Sequence, residues 1–219
     1  MFLYMDFAIS YGKGFLLGGF MFMLGVIFDR TISKNTMEKL HRDHFELCVN
    51  ALHAIQTNLL VISPFIYAIV DQTLLTHESY MLQPLRFIGM LSIHSLGYYV
   101  VHFCMHKNMS LYKYHKFHHE FDHLLMPSIG NAVSIPEYLS AYVAPFIMGA
   151  YLLRPNEITF ASSIGLIAFM NLIIHCQEME HVPWLMFFVS PKNHIEHHKV
   201  RLKHYAAPTI NVDYLLEHC

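Results

Sequence analysis

The pattern His-x-x-His-His occurs twice in this chain, at His115, His118, His119 and at His194, His197, His198, and His102-x-x-x-His106 precedes the first copy. On a helix, residues at i, i+3 and i+4 share a face, so each box aims two or three ring nitrogens toward one point. Eight imidazoles exceed what one metal accepts, since four already close a tetrahedral site, and two metals are the natural reading. Imidazole suits iron, zinc and copper, whereas magnesium and calcium call for oxygen ligands. A site that activates oxygen would need redox-active iron rather than zinc. Glu120 and Glu196 sit inside or beside the boxes and are candidate acceptors that orient imidazoles from behind. A chain with 18 histidines in 219 residues also makes chance pairs. His41, His44, His53, His77, His94 and His218 therefore read as structural or solvated, while His123, His181 and His204 are near enough to touch the site. The zinc-protease pattern HExxH, the GxSxG elbow and a phosphate-binding loop are all missing.

Something must hold these boxes together, and the composition says what. The chain is 54% hydrophobic and 14% charged, far more apolar than a soluble domain. Apolar segments near the bilayer-crossing length of roughly 20 residues fall at 6–28, 48–70, 84–104, 134–153 and 157–175. The "RPNE" turn between the last two predicts a hairpin. The stretch "VPWLMFFV" at 182–189 is too short to span and is expected at the interface, with Trp184 as an amphipathic anchor. One domain over 1–219 uses the whole chain, with the box region at about 95–205. The fold class is therefore all-α, a polytopic membrane bundle of about four or five spans.

Lysine and arginine orient it. Arg30, Lys34, Lys39 and Arg42 follow the first span, Lys107, Lys113 and Lys116 the third, and Lys192, Lys199, Arg201 and Lys203 the fifth. These segments are expected to face the cytoplasm, and the loops at 71–83 and 153–157 to face away from it. All three boxes then meet at one membrane face, and His175, which closes the fifth span there, becomes a ninth candidate ligand. A net charge of −2 without a basic face argues against nucleic acid. Cys48, Cys104, Cys176 and Cys219 form no CxxC pair and read as free thiols. The N-terminus lacks a secretory leader, so the first hydrophobic segment is expected to remain.

With HxxxH, then HxxHH, then a distant HxxHH among membrane spans, the chain resembles the fatty acid hydroxylase/sterol desaturase superfamily. The phrase "YKYHKFHHEF" is similar to the second box of C4-methylsterol oxidase-like members. Only residues 107 to 114 separate the first two boxes, a spacing that favours the hydroxylase branch over acyl-CoA desaturases. The resemblance implies an endoplasmic-reticulum-type enzyme with a cytosolic histidine-rich helical cap over two iron ions, O2 as co-substrate, and electrons from cytochrome b5 or a similar NAD(P)H-linked reductase. Zinc is expected to replace iron on aerobic purification. The ligands carried over are His102, His106, His115, His118, His119, His194, His197 and His198, and His175 resembles the extra histidine between the second and third boxes. The sequence departs from some members at Met179, where a further histidine would stand. The expected reaction is oxidation of an unactivated C–H bond of a membrane lipid, a sterol first and a fatty acyl or sphingolipid chain second. The alternatives are a family member that has lost turnover and a membrane metal binder or transporter.

Overall fold

The computed structural model describes residues 2–76 and 80–218, so His77, Cys219 and part of the 71–83 loop lie outside the described residues. The chain starts with α1 (Phe2–Thr31) and the short amphipathic α2 (Lys34–Asp43). Next, α3 (Phe45–Gln56) passes through a π-helical turn, Thr57–Ile62, into α4 (Ser63–Thr73) as one continuous rod. They are followed by α5 (Gln83–Lys107) and α6 (Met109–His115). A buried irregular stretch leads to α7 (Ile135–Glu137), which continues through a second π turn, Tyr138–Val143, into α8 (Ala144–Leu153). The chain ends with α9 (Glu157–Ile174), α10 (Pro191–Val200) and α11 (Val212–His218). The described residues contain no strand, only an isolated bridge between Phe188 and Ile210. The all-α membrane bundle expected from hydropathy is the fold.

Four rods are long and apolar enough to cross a bilayer: Met5–Thr31, Phe45–Thr73, Gln83–Lys107 and Glu157–Ile174. The fourth expected span, 134–153, is helical from Ile135 onward but is not one of them. Its first turn carries Pro136 and Glu137, which dilute the apolar run. It nevertheless lies antiparallel to α5 along most of that helix. Arg86 donates to the Arg154 carbonyl at 2.7 Å, and a Cβ at Gly97 would come within 2.9 Å of Pro145.

The bundle has two chemically different ends. At one, Lys13 pairs with Glu157 at 2.7 Å, Ser10 donates to Asp71 at 2.6 Å, and the Asn156 amide donates to Gln83 at 3.0 Å. The Thr76 amide donates to Pro155 at 3.0 Å, so the residues after α4 and the "RPNE" turn are neighbours. The lysine inside the first apolar run is thus partnered by carboxylates. At the other end lie the histidine boxes. Beneath them, residues 124–133 are buried without forming long helix, and such backbone needs partners. Asn58 donates to the carbonyls of Asn131 and Val133, Asn171 and Tyr142 donate to that of Gly130, and Asp29 accepts from the Ser128 amide.

One close approach sets the position of α1. A Cβ at Gly18 would sit 2.1 Å from the Leu59 carbonyl oxygen, inside the first π turn. Only glycine lets α1 lie against that turn. The two-ended arrangement predicts that cysteines introduced at Thr76 and at Lys199 react with an impermeant reagent from opposite sides of a sealed vesicle. Labelling of both from the same side would contradict it.

Candidate metal centre

Each box is placed by a helix whose start is written in the local sequence. Asn108 caps α6, its side chain accepting from the Ser110 amide at 2.9 Å, and α6 delivers His115. Ser190 caps α10 by accepting from the Asn193 amide at 3.1 Å, with Pro191 at the first helical position, and α10 carries the third box. The HxxxH pair sits in the last turns of α5, and His175 closes α9.

The nine expected histidines converge as two groups. His102, His106, His115, His119 and His197 each present one ring nitrogen within 4.8 Å of the others, and His118, His175, His194 and His198 do the same. Asp122 joins His119 and His198 in a smaller overlapping set. All nine are buried except His106, which is half-buried.

The expectation that a whole HxxHH box points at one centre is corrected. His115 and His119 belong to the first group and His118 to the second, whereas His194 and His198 belong to the second group and His197 to the first. Helical rotation of about 100° per residue explains the split, since positions i and i+4 lie close in angle while i+3 falls on the other side. Each HxxHH box therefore straddles two centres, in opposite senses.

The tautomers follow from what lies behind the rings. His102 Nδ1 is 2.7 Å from the Tyr205 carbonyl, His175 Nδ1 2.7 Å from that of Asn171, and His197 Nδ1 2.8 Å from that of Lys203. A carbonyl only accepts, so the proton sits on Nδ1 and the Nε2 lone pair faces inward. His115 Nδ1 donates to a carboxylate, Glu137 Oε1, at 2.6 Å. The inward Nε2 atoms of the first group are 2.9–3.2 Å apart, from His119 to His115, from His115 to His102 and from His102 to His106. In the second group His175 Nε2 lies 2.9 Å from His194 and 3.2 Å from His118. His102 and His115, whose protons are both committed at Nδ1, face each other with Nε2 lone pairs 3.0 Å apart, which repel unless a cation lies between them. Nitrogens about 2.0–2.1 Å from a shared metal stand at about these separations. The His197 Nε2 and both His198 nitrogens are buried without a hydrogen-bond partner. Donor type, spacing and orphaned nitrogens therefore fit a metal in each group.

Burial also keeps the donors neutral. It pushes His175 down to about 4 and His197 to about 3, and holds His118, His119, His194 and His198 below the ordinary histidine range, with neighbouring imidazoles adding to the effect. Backbone packing at the site is equally close. A Cβ on Gly130 would stand 2.8 Å from both Asn171 Nδ2 and His175 Nδ1.

The carboxylates differ from the sequence reading. Glu120 is exposed, and Glu196 pairs with Lys203 at 2.7 Å and His204 at 3.2 Å rather than with a box imidazole. The acid that reaches a box is Glu137, fully buried. Its signal was available as a lone carboxylate in the apolar run 134–153, where an unpaired charge is costly. Asp122 is 3.8 Å from His119 Nδ1 and is gripped by Arg201. His123 and His181 are exposed, and His204 faces Glu196, so none of the three joins a group. His53 is exposed, and His94, buried two turns below His102 on α5, packs against Phe146 with ring centroids 4.3 Å apart. Cys48, Cys104 and Cys176 are free thiols.

A bundle with four rods long and apolar enough to cross a membrane thus gathers nine imidazoles into two buried groups at one end. The sequence model of the fatty acid hydroxylase family matches residues 87–217, more than half of the chain, and the protein belongs to that family. No curated protein matches the chain, and neither does any solved structure.

Two outcomes follow. Glu137→Gln weakens the hold on His115 and is expected to lower metal affinity by about 10- to 100-fold, measured by chelator competition, while helical content is unchanged. The depressed histidines bind fewer protons folded than unfolded at pH values below about 6.5. Stability of the metal-free protein is thus greatest above that pH and falls on acidification toward pH 4. Thermal unfolding in detergent across that range reads it, and a midpoint that rises on acidification would contradict the assignment.

Proposed function

We propose that the protein is a membrane lipid oxygenase that uses two iron ions and O2 to hydroxylate or oxidise an unactivated C–H bond of a sterol or fatty acyl lipid. The observation that carries this reading is the pair of buried imidazole groups, with family membership beside it. His102, His106, His115, His119 and His197 would hold one metal, and His118, His175, His194 and His198 the other. Bound iron supplies dioxygen activation, which no side chain provides. The chain's own residues do the rest. Carbonyls of Tyr205, Asn171 and Lys203 and the Glu137 carboxylate lock ring orientation, and burial excludes water that would quench a reactive oxidant.

Beside the histidine end, an apolar cavity of about 90 Å³ lies inside the bundle among Tyr138, Tyr142, Phe146, Phe160, Asn131 and Asn171. Asn171 also holds His175 through its carbonyl. A lipid chain entering this slot would present a carbon near the second group, and holding it there replaces a bimolecular encounter by an oriented one. The lysines and arginines after α1, α5 and α9 flank the histidine end, which supports a cytoplasmic orientation in an endoplasmic-reticulum-type membrane. Cytochrome b5 or a comparable NAD(P)H-linked reductase would deliver electrons from that side.

Anaerobically purified protein is expected to carry about two metals per chain, the number of histidine groups. Cells expressing it are expected to accumulate an oxygenated sterol or acyl lipid that a His118→Ala control lacks. One metal per chain that survives both His118→Ala and His197→Ala would overturn the dinuclear reading. Lipid profiles unchanged from the control would overturn the oxygenase.

A further inference from the structure

We infer that residues 182–188, together with 205–211, form a re-entrant wedge whose outer face is embedded in the acyl chains of the leaflet on the histidine side. The argument is one of depth, and it does not depend on the metals.

Counted at about 1.5 Å per residue from the polar end, a hydrocarbon core of about 30 Å takes roughly 20 residues of each rod. Its histidine-side boundary therefore falls near residue 103 on α5 and near the end of α9. The chain after α10 does not stay at that boundary. Tyr205 accepts from His102, and four residues later Thr209 shares a 2.7 Å hydrogen bond with Ser95, the midpoint of α5, while the Ile210 amide donates to the same Ser95 hydroxyl at 3.2 Å. The 182–188 segment reaches a similar level by a different route. Pro183, Trp184, Leu185 and Phe188 line an apolar cavity with Thr209 and with Leu166 and Met170 of α9. Ser95 and Leu166 both lie roughly 12 Å inside the boundary. Two independent rods thus place the segment at one depth.

Chemistry at that depth agrees. Non-helical backbone inside a bilayer must satisfy its polar groups within the protein. Here the Val189 amide donates to Thr209 at 2.8 Å, the Asn211 amide to Phe187 at 2.9 Å, and the Asn211 side chain to the Met186 carbonyl at 3.2 Å, while the Trp184 Nε1 is buried without a partner. Ala206, Ala207 and Thr209 are buried against the bundle. On the outside, Leu185, Met186 and Phe187 are 70%, 57% and 58% exposed, with no charged side chain from 182 to 189. Lipid is the occupant that such depth and composition select. On this reading the segment sits deeper than the interface that its length alone suggests.

Trp184 is the sole tryptophan of the chain and reports on the wedge without any substitution. In vesicles of phosphatidylcholine brominated at mid-chain, its emission is expected to be blue-shifted, to lose most of its intensity relative to unbrominated vesicles, and to be indifferent to iodide. A double variant, Trp184→Phe with Phe187→Trp, moves the reporter to the outer face and is expected to be quenched by bromine at least as strongly. Trp184→Phe with Lys199→Trp is the aqueous reference, open to iodide. Quenching of the position 187 reporter by iodide would overturn the proposal. So would its indifference to both quenchers, which would mean that protein covers this face, or bromine quenching that appears only in variants whose circular dichroism departs from the natural chain.

Discussion

Nine imidazoles buried at one end of a membrane bundle face each other with unshared electron pairs 2.9–3.2 Å apart where their spacing is shortest. That arrangement is electrostatically costly, because His102, His115, His175 and His197 are each turned inward by a proton committed behind the ring. Carbonyls and one carboxylate take those protons, and burial removes the option of charging the rings. The bundle therefore stabilises a conformation whose own repulsion is relieved only by a cation. Much of the surrounding structure serves this constraint: the capped starts of α6 and α10, the glycine at 130, and the side-chain amides that saturate the irregular backbone of residues 124–133.

The second constraint is the bilayer. It demands long helices with paired backbone, and it leaves polar chemistry to the ends. At the far end, Lys13, Asp71 and Glu157 neutralise one another. At the histidine end the same need is met by inward-turned rings. The helix 135–153 bridges both regimes. Its apolar body runs along α5 while its first turn hands Glu137 to His115.

How much of this could be read from the sequence depends on distance along the chain. The histidine boxes were legible because i, i+3 and i+4 relations are local, and the spans because apolar length is a local property. His175 was legible by position at the end of a span. Glu137 was not assigned, because its partner lies 22 residues back and only the fold shows which imidazole it meets. Glu120 and Glu196 were favoured by adjacency, yet adjacent residues on a helix point different ways. The carbonyls of Tyr205 and Lys203 carry no side-chain signal at all, and the descent of residues 205–210 along α5 is invisible to hydropathy.

The interleaving of the boxes has a mechanical consequence. Because α10 supplies His197 to one group and His194 and His198 to the other, and the second box divides likewise, neither group can be ordered while the other is loose. A cation seated in one would pin the helices that carry the other's donors and remove conformational entropy that a second cation would otherwise have to overcome. Linkage would make this help reciprocal, so that filling of the two groups would be cooperative and a half-loaded chain scarce at intermediate metal concentrations. Loop closure would be shared in the same way, since one ion would tie His102 to His197 and the other His118 to His198. The pair behaves as one cross-link with two rungs.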